Sequence, residues 1–175
     1  MIESVNYDEI KELKINEVIE KLNSHKKTFL EDLKVKHLVI DRHGNPLIHG
    51  VYLFYNRNNE CLYCGKNSAN SYVDRIPSHF APGSGAWFNQ FIKGVCKYER
   101  KLDINKLDEK HSIASIVDSA FKHYILLLPA PGRVIKLLER TLIVYLKPKY
   151  NSFKTLKPNP EFEHLPLREL IGRKG

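Results

Sequence analysis

Two tyrosines, Tyr52 and Tyr63, flank a short polar turn in the stretch GVYLFYNRNNECLYCG, Gly50 to Gly65. Downstream come Arg75 and His79 in RIPSH, Glu139 in VIKLLERTLIVYLKP, and Asn151 in Pro148-Lys149-Tyr150-Asn151. Phenols, a guanidinium, an imidazole and a lone carboxylate are groups that move protons and hold phosphate oxygens. An arginine grips a phosphate oxygen and stabilises charge that develops during attack. Arg75 and His79 are four apart, which puts them on one face if that stretch is helical. The plainer alternative is a surface Arg/His pair. On a helical wheel Glu139 is surrounded by Ile135, Leu142, Ile143 and Leu146, while Lys136, Arg140 and Lys147 gather on the opposite arc. A carboxylate beside an apolar stripe is costly without a partner. A divalent cation is one partner, and a buried Arg or Lys in a structural ion pair is another. A free phenol has a pKa near 10 and is a poor base at neutral pH. Positive charge from Lys66, Arg75 or a metal would favour the phenolate. Most tyrosine pairs simply fill a core, and Pro-x-x-Asn alone is only a helix stop and turn.

These side chains need elements to position them. The apolar runs Gly50–Tyr55 and Cys61–Cys64 around an Asn-rich turn predict a β-hairpin. Strict alternation puts Tyr52 with Phe54, and Tyr63 with Cys61, leaving Cys64 on the other face. Ser71 caps a helix running to about Phe80, shortened or bent by Pro77. Before the hairpin, Tyr7 to Asn23 has helical periodicity in Ile10, Leu13, Val18, Ile19 and Leu22. Lys27 to Val35 suggests a second short helix, His37 to Ile40 is β-prone, and Arg42 to Pro46 is a turn. After it, Asn67 to Asn70 is a polar loop and Trp87 to Cys96 another helix. Lys97 to Lys110 is polar and exposed, and Ser112 to Ser119 is a short apolar run. His123 to Leu128 is a buried strand. Arg133 to Lys147 is a helix stopped by Pro148. The tail, with Pro158, Pro160 and Pro166, is extended.

Composition narrows the function classes. No apolar run approaches the roughly 20 residues of a membrane span. No signal peptide is visible, and three cysteines cannot all pair within the chain, which suits a reducing cytoplasm. Lys and Arg number 8 against 9 Asp and Glu up to His49, but 20 against 11 from Gly50 onward. The positive excess therefore sits with the chemistry-bearing residues and suggests a polyanion partner. Cys61-x-x-Cys64 invites a zinc reading, which fails on count because only Cys96 remains as a further thiol. Alternation also points the two thiols to opposite faces.

In combination these residues resemble the GIY-YIG nuclease family. Gly50-Val51-Tyr52 stands for the first triplet and Tyr63-Cys64-Gly65 for the second. Arg75 follows, with His79 four residues on as in some restriction-type members. Glu139, Pro148 and Asn151 complete the pattern. The similarity spans roughly Gly50 to Asn151. The fold expected is α+β, a small antiparallel three-stranded sheet of the hairpin plus His123–Leu128, flanked by helices. Residues 1–48 would be an N-terminal helical arm packed on the module, with dimerisation its other use. Residues 49–152 would be the nuclease domain, with an insertion around 81–122, and 153–175 an extended tail.

The resemblance implies a metal-dependent DNA endonuclease, restriction-like or mobile-element associated, with no further DNA-reading domain in view. Tyr52 would take a proton from water and Arg75 would stabilise the charge. Glu139 would be the single protein ligand for Mg2+ or another divalent cation such as Mn2+. His79, Tyr63 and Asn151 would orient or donate, Asn151 by holding the site's backbone or reaching DNA. Lys66, Lys147 and Lys149 would contact double-stranded DNA, and a homodimer would cut both strands. A binding module without activity and an RNA-processing nuclease are the alternatives.

Overall fold

The hairpin forms where two apolar runs face each other. β2 (Gly50–Tyr55) and β3 (Cys61–Asn67) pair antiparallel, with Tyr52 opposite Gly65 and Phe54 opposite Tyr63. The computed structural model describes residues 2–41, 44–69, 71–86, 89–151 and 157–172. Outside them lie Met1, Trp87 and Phe88 of an expected helix, Arg42 and His43 of an expected turn, Asn70, and residues 152–156 and 173–175 of the expected tail. β4 (Tyr124–Pro129) pairs antiparallel with the other side of β2.

The fold is α+β, but the sheet has four strands rather than three. β1 (Thr28–Phe29) pairs with Ile125 and Tyr124, giving the order β1-β4-β2-β3. Two residues are too few to leave a period-2 signature, so Lys27–Val35 reads as helix in the sequence. A 3-10 turn, Leu30–Asp32, accounts for the rest of that impression. The β-prone run at His37–Ile40 is largely another 3-10 turn, Val35–Leu38, with Ile40 bridging Pro46.

A register shift between Phe54 and Tyr55 overturns the expected alternation in β3. Phe54 faces Tyr63 and Tyr55 faces Cys61, so Leu62 is an extra residue. Tyr63 therefore packs with Leu62, Tyr52 and Phe54 in one core, while Cys61 and Cys64 lie together in the other. The two thiols share a side of the sheet after all. The thiol count still weighs against zinc, and Cys96 belongs to the opposite core.

Helices cover both faces, so β2 and β4 are apolar at nearly every position. On one face Val51, Leu53, Leu126 and Leu128 pack with α1 (Ile15–Ser24) and α5 (Gly132–Leu146). On the other, Tyr52, Phe54, Ile125 and Leu127 meet α2 (Tyr72–Arg75), α3 (Gln90–Gly94) and α4 (Lys110–Phe121). The helix expected over Tyr7–Asn23 is split into a 3-10 turn, Tyr7–Glu9, and α1. The backbone N–H of Lys14 donates to Glu17 Oε2 at 2.8 Å and starts α1 afresh. Within the stretch 81–122, Phe91, Ile92, Val95, Cys96, Leu107 and Ile116 are all buried. The tail is not simply extended. Leu167, Leu170 and Ile171 form an apolar stripe on α6 (Leu167–Gly172), packed in the same core as α5. Among the described residues no helix is long and apolar enough to cross a membrane.

Candidate active site

Both glycines of the motif are places where a side chain passes directly over the backbone. A Cβ on Gly65 would lie 2.5 Å from the Tyr52 ring and hydroxyl. A Cβ on Gly50 would lie 2.1 Å from the Tyr72 hydroxyl and 2.3 Å from the Leu128 carbonyl oxygen. Tyr52 is thus pressed onto β3, and its hydroxyl meets His79 Nε2 at 2.7 Å. His79 Nδ1 accepts the backbone N–H of Phe91 at 3.4 Å. Burial, reinforced by the nearby Arg75 charge, lowers the His79 pKa to about 3. The ring is therefore neutral, carries its proton on Nε2, and donates it to Tyr52.

Pro77 decides how RIPSH is used. It lacks the N–H a continuing helix needs, so α2 stops at Arg75 and a 3-10 turn, Pro77–Phe80, follows. Arg75 and His79 consequently do not share a helical face. His79 turns into the core, while Arg75 stays partly exposed and donates from Nη1 to Ser78 Oγ at 3.1 Å.

Burial pushes the Tyr52 phenol well above its ordinary pKa, and Tyr63 up to about 12. Arg75 draws both back without reversing the shift. The expected lowering of the phenol pKa by neighbouring charge is thus outweighed by desolvation in the protein alone.

β3 is an edge strand, so side chains from both faces of the sheet can meet around it. Lys66, Asn67, Asp74, Arg75, Ser78 and Glu139 line a cleft of about 370 Å³ there. Lys66 Nζ sits 2.5 Å from Glu139 Oε2, with the Glu139 side chain 10% exposed and that of Lys66 35%. Of the two partners open to Glu139, the protein alone supplies the lysine. Tyr52 and Tyr63 do not line the cleft. Tyr52 is fully enclosed and Tyr63 is 8% exposed, yet the Glu139 charge still reaches Tyr63 and raises its pKa.

Asn151 holds backbone. Its Oδ1 accepts the Cys64 N–H and its Nδ2 donates to the Cys64 carbonyl, both at 2.8 Å. It fills the place of a missing neighbour strand on the outer edge of β3. Lys147 and Lys149 are not at this cleft; they line a separate groove with Cys61, Leu62 and Tyr145. Ser78 and the Phe91 N–H orient Arg75 and His79, and nothing in sequence spacing marks either. Also unmarked is a polar cluster in which His123 Nε2 meets Glu99 Oε1 at 2.8 Å and the Tyr150 hydroxyl donates to the same oxygen. Its members are scattered over 51 residues.

Among the described residues, no group of three His, Cys, Asp or Glu could hold a metal. Asp74, the cleft's other carboxylate, accepts from the Ser71 N–H at 3.0 Å and from its hydroxyl at 2.6 Å. A hard cation that keeps several waters needs only one or two carboxylates, and Glu139 fits that demand. Lys66 would have to yield its place. Comparison with protein-family models, curated proteins and solved structures returns no match in any of the three.

Proposed function

We propose that this protein is a metal-dependent nuclease of the GIY-YIG type that hydrolyses DNA phosphodiesters at the Lys66–Arg75–Glu139 cleft. One observation carries the reading. Two cations and an enclosed carboxylate, drawn from three elements, meet at one cleft beside a hydrogen-bonded phenol–imidazole pair. A purely structural ion pair needs neither Arg75 in the cleft nor two tyrosines behind it.

In the reaction a water oxygen forms a bond to phosphorus and the bond to the leaving oxygen breaks. The water's proton goes to a tyrosine phenolate, and the leaving oxygen takes a proton from solvent. Tyr63, 8% exposed behind the cleft and within reach of the Glu139 charge, is better placed than the enclosed Tyr52 to receive that proton by way of one relaying water. Tyr52 then stabilises the Tyr63 phenolate by hydrogen bonding, and its influence on the Tyr63 pKa is indeed downward. His79 holds Tyr52. Arg75 faces the phosphate oxygens where charge builds up. A divalent cation held by Glu139 would supply Lewis acidity at phosphate and a positive field favouring phenolate. One cleft cuts one strand, so a duplex break takes two binding events or two copies.

A second reading, a binding module without hydrolysis, is favoured by one fact: Lys66 already neutralises Glu139. Supercoiled plasmid and an RNA of similar length, each incubated with Mg2+ or with EDTA, separate the readings. DNA cutting that disappears in EDTA and in Glu139→Ala supports the nuclease. RNA cutting with intact plasmid would move the substrate to RNA. Retention of both nucleic acids uncut under Mg2+ and Mn2+ would leave the binding module.

A further inference from the structure

Away from the cleft, the π-helical turn Val95–Glu99 presents Tyr98 to solvent, 39% exposed. Its ring lies nearly parallel to that of Tyr150, with centroids 5.5 Å apart and planes 7° from parallel. Tyr150 is buried, and its hydroxyl is tied to Glu99, which also holds His123. Tyr98 thus rests on a braced support, and Glu99, the one acid of this turn, holds Tyr150 and His123 through one carboxylate oxygen. Two ammonium groups stand nearest the Tyr98 ring. Lys97 Nζ and Lys149 Nζ stand 5.1 Å and 5.4 Å from the Tyr98 centroid. Exposed cation–π contacts of this kind are weak, so either ammonium can leave the ring for a phosphate.

A flat exposed ring between two movable cations suits a base with a phosphate on each side. We infer that Tyr98, Lys97 and Lys149 form a docking point for an unpaired nucleotide of a single-stranded nucleic acid. The base stacks on Tyr98 and the flanking phosphates take the lysines. A duplex offers phosphates but no open base face, so it gains only the electrostatic part.

The docking point is on the same side of the sheet as the phenols. From Tyr98 the rings of Tyr150, Phe91, Phe54 and Tyr63 follow in four steps of 4.1 to 6.2 Å. These four steps set an upper bound on the separation of the docking point from Tyr63. Resting on the nuclease reading, this gives the substrate class: a nucleic acid with a single-stranded segment beside the bond to be cut. The docking itself needs no catalysis.

The test uses the whole chain in EDTA, so that nothing is cut. Anisotropy is measured with a labelled 12-nucleotide thymidine strand, an abasic strand of equal length and a blunt duplex. Tyr98→Ala should lose about tenfold affinity for the thymidine strand. It should lose less than twofold for the abasic strand and the duplex. Tyr98→Trp should retain thymidine-strand binding. Lys97→Gln with Lys149→Gln should weaken all three and lower the single-strand salt slope by roughly 1.4. Unchanged strand binding by Tyr98→Ala, or equal losses on all three ligands, overturns the inference. Base-dependent binding through Tyr98 without any cutting in Mg2+ would refute the nuclease reading and keep the docking point. Cutting with strand binding indifferent to Tyr98 would do the opposite.

Discussion

Replacing Lys66 by Met tests the site without needing turnover. Met keeps much of the stem's apolar contact and removes the ammonium. Breaking a fully buried ion pair costs about 3–5 kcal/mol, and a surface pair contributes about 0–1 kcal/mol. Here the carboxylate is 10% exposed and the lysine 35%, so the loss falls between these limits. We expect about 2 kcal/mol, which for a domain of this size lowers Tm by roughly 4–8 °C. The variant also vacates the position a cation would take beside Glu139. A ligand present at about ten times its Kd stabilises by about 1.4 kcal/mol, so Mn2+ should restore roughly 3–6 °C. Wild type, where the cation competes with Lys66, should gain less. The assay is thermal unfolding of both proteins in EDTA and across a Mn2+ titration, with Glu139→Gln in both backgrounds as control. Equal Tm values in EDTA would show that the pair contributes nothing. Equal Mn2+ gains in wild type and variant, or gains that survive Glu139→Gln, would refute the assignment of the cation to Glu139.

Other perturbations follow from the same geometry. Gly65→Ala puts a methyl 2.5 Å from the Tyr52 ring and should cost about 1–3 kcal/mol in urea unfolding, and the Tyr52–His79 contact with it. Asn151→Ala removes both bonds to Cys64 and should cost about 2 kcal/mol, with faster exchange of the Cys64 amide as its local signature. Burial, helped by Arg75, holds the folded His79 pKa near 3, so between there and the ordinary value of about 6.5 only the unfolded chain takes the proton. Stability is therefore full above about pH 6.5 and falls as pH drops, by about 2 kcal/mol at pH 5. In His79→Gln that contribution is absent, so the stability gap between wild type and variant should narrow by this amount from pH 7 to pH 5. Cleavage, if a phenol near pKa 12 is the base, should keep rising with pH up to 9; a plateau from pH 7 would refute that role.

Local elements with strong signatures are legible in the chain's own pattern. The hairpin is written in two apolar runs around an Asn-rich turn. β4 is a continuous buried run. α5 shows in the 3.6 period and ends where Pro148 must stop it, with Lys147 in the left-handed cap. Arg75, Glu139 and Lys66 stand out in the sequence through the resemblance to the GIY-YIG pattern, since their types alone also fit surface residues and a structural ion pair. Features whose cause lies elsewhere in the chain leave no such mark. β1 exists only because Tyr124 and Ile125 offer it a pairing edge. The extra residue at Leu62 moved Cys61 to the side of Cys64, and no local pattern marks it. α6 needed a docking stripe, and the Glu139–Lys66 pair joins residues 73 apart. Tyr52 and His79, 27 apart, meet because the strand and the Pro77 turn are folded onto one another. Periodicity records which face of an element avoids water, since that is a property of neighbours along the chain. Which partner waits there is set by packing between elements, and it is packing that placed the phenols behind the cleft rather than in it.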